Sequence, residues 1–161
     1  MLGTSPLSAP WLRRIVALVE SIVPSTSRWT RDIITVWENA SLGTFGTDLF
    51  EGSRAAIPLA AGTYALVTQS GGSKPEYVQN SASPAWRFPT AQVTVYAPDY
   101  VRAMSFAQAL WESITAVLNT TINNTRYKKI EPVGDIRDMG VDDKGRFRVN
   151  FNIIGEKGPS H

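Results

Sequence analysis

Residues 88–104 read Phe88-Pro-Thr-Ala-Gln-Val-Thr-Val-Tyr-Ala-Pro-Asp-Tyr-Val-Arg-Ala-Met104, a strand that turns through a Pro-Asp corner straight into a helix. Between Ala91 and Ala97 the residues alternate: Ala91, Val93, Val95 and Ala97 fall on one face, Gln92, Thr94 and Tyr96 on the other. That period of two is the mark of a half-buried strand. After Pro98 and Asp99, residues Ala103, Phe106, Ala107, Leu110, Ile114, Val117 and Leu118 recur at three- and four-residue spacing, which makes one apolar helical stripe. A stripe of this kind needs a sheet to lie on. The expected fold class is therefore α+β: a small antiparallel or mixed β-sheet packed by a long amphipathic helix and by an N-terminal helix.

The N-terminal helix is expected from Ser8 as N-cap and Pro10 in the first turn, with Trp11, Ile15, Leu18, Val19 and Ile22 on one face and Pro24 as the stop. From Arg28 to Asn39 the spacing of Trp29, Ile33, Val36 and Trp37 favours a helix, although Ile33-Ile34-Thr35-Val36 has strand propensity. Residues 41–61 read as a connection in which Leu49, Phe50 and Ile57 anchor locally. A strand follows over Thr63–Gln69, ended by Ser70-Gly71-Gly72-Ser73. Residues 70–88, with Pro75 and Pro84 and no periodicity, read as a long contact loop. Its candidate interface residues are Gly71, Gly72, Lys74, Tyr77, Trp86 and Arg87.

Beyond the long helix, Asn123-Asn124 turns the chain into a strand over Arg126–Val133, and residues 134–145 connect it to the last strand. There Phe147, Val149, Phe151 and Ile153 alternate with Arg146, Arg148, Asn150 and Asn152, and Asp143-Lys144-Gly145 suits a hairpin turn. Residues 155–161 are polar and read as a loose tail. The whole chain, 1–161, reads as a single domain without internal repeats.

Composition narrows the chemistry. The chain has 161 residues, 43% of them hydrophobic, and a formal net charge of +2, so nothing demands nucleic acid or an acidic membrane. With no cysteine, disulfides, thiolate metal sites and cysteine nucleophiles are excluded. Glu20 interrupts the apolar run from Ile15 to Val23, so neither a signal peptide nor a membrane span is expected. The one histidine, His161, is the last residue of the sequence, which argues against histidine acid–base catalysis or a histidine metal site. Asp135, Asp138, Asp142 and Asp143 could hold a hard cation or serve a carboxylate hydrolase, but their spacing is not that of a calcium loop. Gly71-Gly72-Ser73-Lys74 lacks the spacing and the following helix of a phosphate loop. Arg126, Lys128, Lys129, Arg146 and Arg148 concentrate positive charge on the final strands, where Arg146 and Arg148 share a face if the strand is regular. That face reads either as a surface for nucleic acid or a partner's carboxylates, or as an ordinary solvated sheet face. Among the tryptophans, Trp11 and Trp111 suit a core and Trp86 an interface.

The order of these parts resembles the tail-terminator, or tail-completion and minor capsid, proteins of long-tailed siphophages. The residues that carry the resemblance are Gly46-Thr-Asp-Leu-Phe-Glu-Gly-Ser53, Tyr64 before Gly71-Gly72, Pro89-Thr-Ala-Gln-Val-Thr-Val95, Asp99-Tyr100 with Ala103, Gly134-Asp135 and Asp143-Lys-Gly-Arg146. The resemblance implies a non-enzymatic virion subunit without cofactor, assembled in the host cytoplasm. It implies a homo-oligomeric ring, a hexamer, at the head-proximal end of the tail. Its partners would be further copies of itself, the major tail tube protein and a head-completion or neck protein, with DNA passing through the ring and no membrane involved. Arg146 and Arg148 would then be a channel or partner face. The alternatives are a head-completion or neck adaptor and a nucleic-acid-binding module.

Overall fold

The computed structural model describes residues 28–77, 79 and 84–160. The expected N-terminal helix, Trp11 and His161 lie outside the described residues. The elements are α1 (Trp29–Asn39), β1 (Leu49–Glu51), a 3-10 turn (Arg54–Ala56), β2 (Tyr64–Tyr77), β3 (Pro84–Ala97), α2 (Tyr100–Ile114), β4 (Leu118–Ile122), β5 (Thr125–Val141) and β6 (Phe147–Ser160). They build a mixed six-stranded sheet in the order β1-β2-β3-β6-β5-β4. The pair β1–β2 is parallel and the remaining pairs are antiparallel. Among the described residues no helix is long and apolar enough to cross a membrane.

The alternation of β3 sets the layers. Val93 lies between Val67 and Phe151, and Val95 between Ala65 and Val149, so one face of the sheet carries continuous apolar rows. Both helices pack on that face. Helix α1 forms because Trp29, Ile33 and Trp37 must all be buried on one side, which outweighs the strand propensity of Ile33–Val36. Helix α2 starts where Asp99 accepts the Arg102 backbone N–H at 2.8 Å, and it buries Ala103, Ala107, Leu110 and Ile114. It is shorter than the periodicity predicts. Thr115, Ala116 and Val117 bond back to the third residue before them, which tightens the last turn, and Leu118 begins an edge strand with 62% of its surface exposed.

Three expectations are corrected. Residues 70–88 are not a loop: β2 runs to Tyr77 and β3 starts at Pro84, so together they form a projecting hairpin arm. Bulges between Gln69 and Gly71 and between Ser73 and Glu76 break the alternation, Gly71 takes the required left-handed φ of +107°, and Pro75 is tolerated because β2 has an open edge there. Residues 134–141 are likewise strand, irregular because β5 carries extra residues between Val133 and Arg137 and between Asp138 and Val141. The supposed tail is also strand, with β6 continuing until Ser160 pairs with Thr125. The predicted turn before Phe147 does form, with Gly145 at a φ of +75°.

Trp29 seats α1 on the sheet through the bare backbone of Gly155. A Cβ there would lie 2.5 Å from Trp29 Cη2 and 2.6 Å from its Cζ3, and the indole is only 4% exposed, so it has little room to retreat. Gly155→Ala is expected to lower stability by about 1–3 kcal/mol through overpacking. A urea titration followed by circular dichroism checks this, and an unchanged midpoint would contradict it.

Candidate assembly surfaces

Backbone pairing carries the β2–β3 arm, because its side chains are mostly exposed. Tyr77 is 56% exposed near the end of the arm. Trp86 is half-buried and lies over Gly158, 3.4 Å from where that residue's Cβ would be, with Lys128 Nζ 5.9 Å from its ring centroid. Gly72 faces Phe88 so closely that a Cβ would meet its carbonyl oxygen at 2.6 Å, so a side chain at this position would push the two strands apart. Lys74 and Arg87 form no ion pair among the described residues. Arg87 stands opposite Lys157, and both line a cavity of about 300 Å³ beside Trp29, Gly71, Gly72 and Pro89. Burial lowers the Lys157 pKa; Asp32 opposes that shift and Arg87 adds to it. The predicted interface residues are thus brought together on one arm, with Gly71, Gly72 and Arg87 at its base and Tyr77 towards its end.

At the opposite end of the sheet the acidic cluster disperses. Asp142 accepts the backbone N–H of Lys144 at 2.9 Å and of Arg146 at 2.8 Å, and its Oδ2 accepts Arg146 Nε at 3.0 Å. Burial alone would raise its pKa, but those donors outweigh burial and hold it at about 2. Arg54 bridges Asp142 at 3.2 Å and Asp143 at 2.5 Å. Asp135 and Asp138 each cap a nearby backbone N–H, of Ile136 and Gly140. Among the described residues no three His, Cys, Asp or Glu side chains gather as a metal site.

The basic residues do not form one face either. Lys128 pairs with Glu156 and Lys129 with Glu131. Arg146 does not lie in the strand as expected: it precedes β6, is 8% exposed, donates Nη1 to the Pro58 carbonyl at 3.1 Å, and packs its guanidinium 5.0 Å from the Tyr96 ring centroid. Arg148 donates Nη2 to the Met139 carbonyl at 3.2 Å. The strand alternation assumed for Arg146 and Arg148 therefore separates into one buried anchor and one half-exposed side chain.

Sequence reasoning missed the polar centre of the core. Asp32, fully buried on α1, accepts the Tyr127 hydroxyl and, at 2.9 Å, Asn123 Nδ2. Burial, and then the bond to Asp32, push the Tyr127 pKa up, so its hydroxyl stays protonated as the donor. The available signal was an aspartate three residues after Trp29, next to the apolar stripe. Its partners lie more than ninety residues away, which no local pattern reveals.

On each side of the sheet an outer strand is covered over only part of its length among the described residues. Strand β1 covers β2 only at Ala65–Val67, leaving β2 unpaired on its outer side from Thr68 on. Strand β4 covers β5 only from Thr125 to Lys129, and the Ile130 N–H reaches the Val117 carbonyl; beyond it no strand pairs with that side of β5 among the described residues, but Pro132 has no N–H, the Gly134 carbonyl accepts Trp111 Nε1 at 3.3 Å, the Met139 carbonyl accepts Arg148, and the Ile136 and Gly140 N–H groups are bonded to Asp135 and Asp138.

No family model matches this sequence, and no curated protein matches it. Among solved structures, the fold is similar to a chain from the virion of a native gene transfer agent particle, with a TM-score of 0.58 and 13% identity over 81% of this chain and 95% of that one. At that identity the likeness shows a shared fold.

Proposed function

We propose that this protein is a structural subunit of a phage-like virion, and that it acts as a tail terminator: a ring at the head-proximal end of the tail tube that stops tube growth and presents the surface for head joining. The observation that supports the reading most is the fold match to a chain of a virion particle, which covers nearly that chain's whole length. The β2–β3 arm on one side of the sheet and the exposed β5 segment on the other add to it, since a subunit with two different contact surfaces assembles head to tail and closes into a ring when the rotation allows. No catalytic role is proposed for any residue. The acidic side chains are taken up by backbone N–H groups and arginines, and the surfaces that stand out are arms and edges.

Removing the gene from its producing strain tests the proposal. A terminator's absence should give tail tubes of uncontrolled length without heads, as seen by negative-stain microscopy. Tails of normal length that fail to join heads would instead indicate a neck adaptor, and intact infectious particles would refute a virion role.

A further inference from the structure

Two cations stand where the alternation of the sheet calls for core. Arg87 continues the β3 row of Ala91, Val93 and Val95, and Lys157 continues the β6 row of Phe151, Ile153 and Gly155, each at even spacing along its strand. The two are direct partners across the β3–β6 ladder, and both line the cavity of about 300 Å³ beside Trp29. Like charges directly opposite each other destabilise a sheet, and an ammonium half-buried without a counter-ion adds to that cost. Neither side chain forms an ion pair among the described residues, although Lys128, one position from Tyr127 on β5, takes Glu156. Asp32, which acts on Lys157 from inside the core, is already committed to Tyr127 and Asn123. Protection of a sheet edge does not account for the pair, because at this level β2 flanks β3 and β5 flanks β6.

We propose that this cavity is a receptor for an acidic side chain, a Glu or Asp carried on a peptide segment of another subunit of the particle, whose carboxylate sits between Arg87 and Lys157. The inference rests on the virion role proposed above and names one contact of the subunit. A guanidinium offers a carboxylate a two-pronged donor fork, and an ammonium adds a compact point charge, so one incoming anion neutralises both members of the opposed pair. Gln69 and Ser73 line the same cavity and add an amide and a hydroxyl. Trp29, Phe88, Pro75 and Pro89 give it apolar walls, which suit the alkyl stem of a Glu or an apolar neighbour of the acid. A concave, partly apolar site of this volume takes side chains; a phosphate backbone would be better served by a row of exposed cations along a groove.

The same carboxylate chemistry is available from two sources. One is a neighbouring copy of this chain, whose exposed Asp135 and Asp138 each bond a backbone N–H but form no ion pair among the described residues. The other is an acidic segment of a different protein of the particle. The experiment separates them.

Carbodiimide cross-linking reads the contact directly. The reagent activates a carboxylate, the Lys157 amine attacks it and releases the reagent as a urea, and an amide bond joins the two side chains where they touch. Assembled particles would be treated and the joined peptides identified by mass spectrometry, with the ion pairs Lys128–Glu156 and Lys129–Glu131 inside the chain as positive controls. The expected result is Lys157 joined to an Asp or Glu of a second chain, a product absent from the free protein. Attachment to Asp135 or Asp138 in a product of two-copy size identifies a neighbouring copy; attachment to a foreign peptide identifies another particle protein. In parallel, Arg87→Gln combined with Lys157→Gln, checked for normal folding by circular dichroism, should lower the yield of infectious particles by about tenfold or more. Lys144→Gln, which also removes an unpaired cation, should leave the yield unchanged. Particles that contain the protein and show both control products, but no Lys157 product or only one within its own chain, would overturn the receptor cavity and leave the virion role intact. A folded double variant with normal yield would do the same. Particles that lack the protein altogether would overturn both.

Discussion

Trp37→Ala should cost about 3–5 kcal/mol of folding stability, the range for deleting a large aromatic from a packed core. Trp37 is fully buried where α1 meets α2 and the sheet, and its indole N–H donates to the Leu110 carbonyl at 3.1 Å. The lost hydrogen bond is the smaller part. The Leu110 carbonyl keeps the Ser113 hydroxyl at 2.9 Å, so it is not left without a donor, and a net bond of this kind contributes about 1 kcal/mol. Most of the effect is cavity, since neighbours such as Ile33 and Ile114 are also fully buried and anchored on different helices, which limits collapse. Trp37→Phe, which keeps much of the ring, should lose clearly less. Urea midpoints for the two variants and the parent decide the matter: equal losses would show that the hydrogen bond, not the volume, carries the effect.

The elements that could be read in the sequence are those with one wet face and one dry face. The alternation of Ala91–Ala97 and of Phe147–Ile153 predicts strands that the structure contains, with Val149, Phe151 and Ile153 in the core. The Trp29–Ile33–Trp37 spacing gives α1 in the same way. What escaped were the arms. Residues Ser70–Lys74 of β2 and Gly134–Val141 of β5 are exposed or nearly so, so burial imposes no period on them, and the pairing partner across the hairpin rather than the local sequence makes them strands. Gly71, Gly134 and Pro75 look like breakers in a one-dimensional reading. In three dimensions they sit at bulges and open edges, where strands tolerate them. For the candidate site, the sequence picked out the arm residues without knowing that they share one strand pair. The polar cluster of Asp32, Asn123 and Tyr127 stayed hidden because Asp32 is more than ninety residues from its two partners.

Arg146 and Arg148, two residues apart and chemically alike, should behave very differently when replaced. Sequence alternation predicts that both can become serine at little cost. The structure keeps that expectation for Arg148, whose one bond to the Met139 carbonyl is partly exposed, so Arg148→Ser should stay within about 0.5 kcal/mol of the parent. Arg146 is different: its guanidinium closes over a fully buried Asp142 carboxylate and covers Tyr96. Removing one member of a buried pair typically costs about 3–5 kcal/mol, and because Arg54 and two backbone N–H groups still face Asp142, Arg146→Ser should cost about 2–3 kcal/mol. The pH dependence provides a second readout. Asp142 titrates at about 2 in the folded chain against an ordinary 3.8, so the stability it contributes is complete above pH 4 and is lost as the pH falls towards 2. Without Arg146 the folded pKa rises towards the ordinary value, and the stability lost over that interval should shrink. Denaturant midpoints at pH 7, 4 and 2.5 for the parent and both single variants separate the cases. If Arg146→Ser matches Arg148→Ser at neutral pH and keeps the parent's acid slope, then Arg146 is not the anchor of this turn, and its charge is available to a partner after all.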